Sequence, residues 1–218
     1  MYELPLFPLN TVLFPGMPIH LHIFEERYKE MINLCIAENR PFGVVLIQGG
    51  NEVGAPAEPQ PIGCTAQIAQ VQPLDNGRMN LVAIGKERFH IESLNYDRSY
   101  LMGSVESLSL VSADEENLSA ASQGLRDQLT QYLDVLSTVG QVEFDVEKLP
   151  DDTTELSYLA ATLLQVPVEK KQDILKVDRV DNLLKIVYKT CREELAILKA
   201  MLATDPRTSQ NAGPFSLN

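Results

Sequence analysis

The chain has 218 residues and a formal net charge of −12, from 18 basic and 30 acidic side chains. Both halves are acidic, so neither reads as a surface for neutralising phosphates or gripping an anionic membrane. Apolar residues make up 44% and charged residues 22%, which is a globular balance and not a disordered one.

The opening MYELPLFPL carries Glu3 early, and Pro5 and Pro8 break any apolar helix, so it is not expected to be a secretory signal. Met17 to Phe24 reads MPIHLHIF, in which Ile19, Leu21 and Ile23 alternate with His20 and His22. That is the pattern of a half-buried strand. Residues 25–39 follow with Tyr28, Met31, Ile32 and Cys35 at helical spacing, and Asn39 to Pro41 ends the helix. Phe42 to Ile47 is a continuous apolar run that predicts a strand buried on both faces. Residues 49–61 hold three glycines and three prolines and read as an exposed loop. Two further strands flank Asp75-Asn76-Gly77, a hairpin signal because Asn and Gly tolerate positive φ. Gly85 inside the second of them predicts a bulge or bend. Ser99 to Leu110 supplies the last strand.

Beyond residue 112 the period becomes helical. Ser112 and Glu115 have capping-box spacing, and a helix is predicted from about Asp114 to Thr138. Asp152 and Glu155 repeat the signal before a second helix, which Gln165-Val166-Pro167 interrupts. Glu169 to Leu175 predicts a short helix, and Asp178 is placed to cap the last one. There Val180, Leu183, Leu184, Val187, Cys191, Leu195, Leu198 and Leu202 form one apolar stripe. Residues 204–218 read as a frayed tail.

Little in this pattern carries chemistry. The stretch Gly49 to Gly54 lacks the lysine and hydroxyl of a phosphate loop, and there is neither a GxSxG elbow nor an HExxH helix. His20 and His22 share a strand face and can be read as a metal pair wanting a third ligand, or as two solvent-side histidines; no metal and no cofactor are expected. Cys35, Cys64 and Cys191 lie far apart and are expected to be buried thiols in a reducing cytosol. Arg88 sits within a strand, where it either pairs with an acidic neighbour or contacts a ligand. Phe14 and Met17 flank a Pro-Gly turn and allow two readings. Either both fold back to plug the end of the strand domain, or they form an apolar lip for extended polypeptide beside the loop at 49–61.

Several of these stretches resemble the amino-terminal, substrate-binding domain family of the Lon protease. They are Leu4 to Leu9, Phe14-Pro15-Gly16, Pro18 to Phe24, Glu26-Arg27-Tyr28, Ile62 to Ile68, the strand with Gly85, Arg88, Phe89 and Ile91, and the late LLQVPVEKKQDILKVDRVDNLLKIV. The resemblance implies an α+β fold, a PUA-like β-barrel over 1–112 followed by a C-terminal helical bundle over 113–203, with 204–218 as a tail. It implies a stand-alone, non-catalytic module that binds unfolded or tagged polypeptide, as adaptor or holdase, with a protease or chaperone as further partner; the sparse cysteines, the opening segment and the lack of a long apolar run lead to the expectation of a cytoplasmic protein. Purified chain is expected to hydrolyse neither ATP nor casein. The binding residues expected are Phe14, Met17 and Arg88. An RNA-binding PUA-like domain is the alternative, which the acidic charge opposes, and a small-molecule enzyme is a third reading.

Overall fold

The computed structural model describes residues 1–50, 58–112, 115–140 and 145–204. The first part of the chain gives β1 (Tyr2–Leu9), β2 (Pro18–Ile23), α1 (Glu26–Ala37), β3 (Phe42–Gly49), β4 (Glu58–Pro59), β5 (Ile62–Pro73), β6 (Met79–Asn95) and β7 (Met102–Leu108). The second gives α2 (Glu115–Gly140), α3 (Thr153–Leu163), α4 (Val168–Leu175) and α5 (Val180–Thr204).

The strand pairings close into a circuit. β1 pairs antiparallel with β7 through Tyr2–Pro5 and parallel with β3 through Leu6–Leu9. β7 then pairs with β6, β6 with β5, and β5 with β3. β2 lies off this circuit and, among the described residues, pairs with β6 alone. Its alternation is the one read from MPIHLHIF: Ile19 and Leu21 are half-buried and Ile23 is buried, while His20 and His22 face water.

Two buried clusters fill the molecule. Leu4, Leu6, Val45, Phe89, Ile91 and Val105 form the smaller one. The larger runs from Phe7, Phe14 and the inner face of α1 through Tyr158, Leu164 and Ile174 to Leu183, Val187 and Leu195 of α5. Strands and helices therefore share one core. The apolar stripe of α5 covers the others: α2 and α3 both pack on it.

Local signals explain most of the boundaries. α1 ends where Asn39 takes a φ of 49°. The hairpin between β5 and β6 turns through Asp75–Gly77, with Asn76 at φ 60° and Gly77 at φ 68°. The Asp152 carboxylate caps α3, accepting from the Glu155 N–H at 2.8 Å. Two expectations need correction. The loop read over 49–61 does not stay irregular to its end, because Glu58–Pro59 add a short strand to β3. Asp178 caps nothing by its side chain in the hydrogen bonds seen; its backbone carbonyl accepts from the Val111 N–H at 2.8 Å, and α5 starts at Val180, whose N–H reaches the Val111 carbonyl at 3.1 Å. That exchange ties the segment after β7 to the start of the last helix. The middle of the loop (51–57), residues 113–114 on which the expected cap between Ser112 and Glu115 depends, and the tail beyond 204 lie outside the described residues.

Candidate functional site

The turn LFPGMP is pinned from below. The Met17 N–H bonds to the Phe14 carbonyl at 3.1 Å around Pro15 and Gly16, and Gly16 has a φ of 79°. Proline second and a positive-φ glycine third are what a type II turn requires. The Gly16 N–H then donates to the Gly85 carbonyl at 2.9 Å, and the Gly85 N–H to the Met17 carbonyl at 2.9 Å. A Cβ on Gly85 would stand 2.2 Å from the Phe14 carbonyl oxygen, so only glycine permits this approach. Phe14 is 1% and Met17 8% exposed, and the Phe14 ring stacks on Tyr158 of α3 at 5.6 Å. The exposed apolar lip is therefore corrected: the turn folds inward, and α3 supplies the partner that buries Phe14.

Arg88 is likewise no surface ligand contact. It is 3% exposed, and its guanidinium donates to the carbonyls of Leu175, at 2.9 Å, and Val177. These carbonyls belong to the end of α4, where the last turn leaves acceptors unpaired and the helix dipole favours a cation. Its partner is thus a helix end and not the acidic neighbour expected from sequence. Gln172 of α4 adds a second clamp, donating to the Ile62 carbonyl at 2.9 Å. His20 and His22 are exposed; the His22 ring bonds to Asn80 at 2.7 Å. Among the described residues no group of three metal-ligating side chains exists. The three cysteines are buried and unpaired with one another, and burial pushes Cys64 and Cys191 up to about 12 and Cys35 up to about 11.

Of the surface hollows, three lie along β2 and the start of α1 and run into one another; two others lie apart, one over α2 and α3 and one beside Glu3 and Ser93–Asp97. A groove of about 420 Å³ runs over His20, His22, Gln70, Gln72, Asn80 and Val82, which the register places side by side across β2, β6 and β5. A smaller hollow of about 130 Å³ separates Phe7 and Leu9 of β1 from Leu21 to Glu25 and Tyr28. A third, of about 170 Å³, lies between Arg27-Tyr28 and the segment from Tyr96 to Leu101. The first two share Leu21 and His22, and the last two share Tyr28. Phe24, 49% exposed and stacked on His22, lines the middle hollow that joins the other two. Composition and period flagged none of this, because Phe24 and Tyr96 stand in the sequence as ordinary strand-end residues.

A strand edge beside shallow, connected hollows is the geometry to which an extended peptide can add. The family model described as the ATP-dependent protease La (LON) substrate-binding domain matches residues 3–191. The chain belongs to that family. It is 24% identical over 181 residues to the Lon protease of Flavobacterium johnsoniae, covering 81% of this chain and 22% of that one. Against the Lon protease of Brevibacillus choshinensis it is 24% identical over 200 residues, covering 90% and 26%. The chain thus spans about a quarter of the length of these curated relatives. Among solved structures, a Lon N-terminal domain protein from Xanthomonas campestris superposes with a TM-score of 0.63 at 24% identity, covering 85% of this chain and 96% of that one. The N-terminal domain of Mycobacterium avium complex Lon protease gives a TM-score of 0.67 at 17% identity, covering 87% and 98%.

Proposed function

We propose that this domain holds unfolded polypeptide in extended form along β2, as an adaptor or holdase, and catalyses nothing itself. The observation that carries this reading is the edge position of β2: among the described residues it pairs with β6 alone, and the connected hollows follow it toward α1. An extended chain can add main-chain hydrogen bonds to such an edge whatever its sequence, while apolar hollows take alternate side chains. Sequence tolerance of that kind suits unfolded clients. The closed strand circuit is read as a PUA-like β-barrel over 1–112, and α2–α5 as its helical bundle over 113–203. The shared core makes the two one recognition unit. Among the described residues no helix is long and apolar enough to cross a membrane, and we place the protein in the cytoplasm.

Phe24 is the side chain to test. It is exposed, so Phe24→Ser leaves stability within about 0.5 kcal/mol. If a client buries the ring, the substitution weakens binding by about 2 kcal/mol, on the order of a 30-fold rise in Kd. Fluorescence anisotropy with a labelled, reduced and unfolded protein, beside circular dichroism of the same variant, reads both. Unchanged affinity in a folded variant rejects this surface.

A further inference from the structure

In a chain of net charge −12, two guanidinium groups meet at one cavity of about 170 Å³. Arg27 comes from the first turn of α1 and Arg98 from the segment joining β6 to β7. Tyr28, Tyr96 and Tyr100 supply aromatic wall, and Ser99 stands at the rim. Arg27 lies 4.5 Å from the Tyr28 ring centre and pairs through Nε with Glu25 at 3.0 Å. Arg98 lies 5.8 Å from the Tyr100 ring centre and donates to the Tyr100 hydroxyl at 2.9 Å. Among the described residues Arg98 has no carboxylate within ion-pair distance. The Ser99 hydroxyl donates to Glu30 at 2.6 Å, so that acid is already engaged. Glu25 makes no side-chain cap on α1, and the positive end of that helix lies beside the two arginines.

We propose that this cavity seats the terminal carboxylate of the bound polypeptide together with its last side chain. The proposal rests on the reading of β2 as a polypeptide-binding edge. A guanidinium fork matches a planar carboxylate, and the tyrosine rings match an apolar or aromatic final residue. The cavity holds one residue and not a passing chain, because it is small and more enclosed than the groove on β2. Its neighbour shares Tyr28 and borders β2, whose carboxyl end points toward α1. A client with its terminus here runs parallel to β2.

The test compares three forms of one short, apolar, amino-terminally labelled peptide ending in leucine: free carboxylate, carboxamide, and carboxamide with the last residue changed to aspartate. Amidation is expected to raise Kd about tenfold for the unsubstituted protein, the scale of one charge-assisted hydrogen-bonded pair. The aspartate form should not recover the loss, and Arg98→Gln should bind acid and amide alike. Arg98 is exposed, so circular dichroism of that variant should be unaltered. Equal affinity of acid and amide for the unsubstituted protein overturns the carboxylate seat and leaves the polypeptide-binding reading standing. Recovery by aspartate, or a full amidation effect in Arg98→Gln, overturns it as well. If no form binds, both readings fall.

Discussion

Arg88 shows how one side chain joins the two parts of the molecule. Its guanidinium answers two carbonyls at the end of α4, so Arg88→Met strands both acceptors in a buried place. Hydrogen bonds to a charged group contribute about 1.5–3 kcal/mol each, and the loss in urea unfolding should be about 3 kcal/mol. A variant as stable as the parent would mean that water replaces the guanidinium. Phe14 and Met17 make a similar point at the turn. Replacing both with serine removes apolar volume from a core shared with Tyr158, and the cost should exceed about 4 kcal/mol. Circular dichroism should show a protein largely unfolded at moderate temperature; a stably folded double variant would contradict the inward turn. The thiols give a pH signature. Burial raises Cys64 and Cys191 from 9.0 to about 12 and Cys35 to about 11, so the native state keeps protons that the unfolded state releases. Their contribution is complete below the ordinary thiol value and is lost as pH rises from there toward 11 to 12. At mildly alkaline pH a disulfide reagent should label none of the three in native protein and all three in urea; rapid labelling of folded protein would contradict their burial.

Elements were legible in the sequence wherever the cause was local. The alternation in MPIHLHIF, the stripe through Leu183, Val187 and Leu195, the Asn76-Gly77 turn and the Asp152 cap each carry their reason within a few residues. What failed to show was contact between distant segments. Nothing near Phe14 announces Tyr158, and nothing near Arg88 announces the end of α4, so a buried plug and a helix clamp read equally well as a lip and a ligand contact. Gly85 lies between these cases. Its place in a strand flagged a bend, and the register does shift between Cys64 and Ala66 opposite it, but the reason is the backbone of the Phe14 turn lying against it. Thr65 absorbs that shift, its hydroxyl meeting both the N–H and the carbonyl of Glu87. The candidate surface was invisible for a related reason: β2 is an edge only because the circuit closes without it.

At the scale of the whole molecule, the larger core and a strand edge that no second described strand pairs with divide the work. The core that spans β1, α1, α3 and α5 keeps strands and helices in one frame, so the groove along β2 stays formed without a client. A preformed groove spares ordering cost on the protein's side and leaves only the client to be ordered. Binding at an edge also predicts where backbone protection appears, because a client strand would pair with the amides it covers. Hydrogen exchange with and without an excess of reduced, unfolded protein measures this directly. With client bound, exchange should slow over Ile19–Ile23 and over the segment from Tyr96 to Leu101, and stay unchanged over α2 and α5. Protection confined to the helices, or no protection at a client concentration that saturates binding, would contradict recognition along β2.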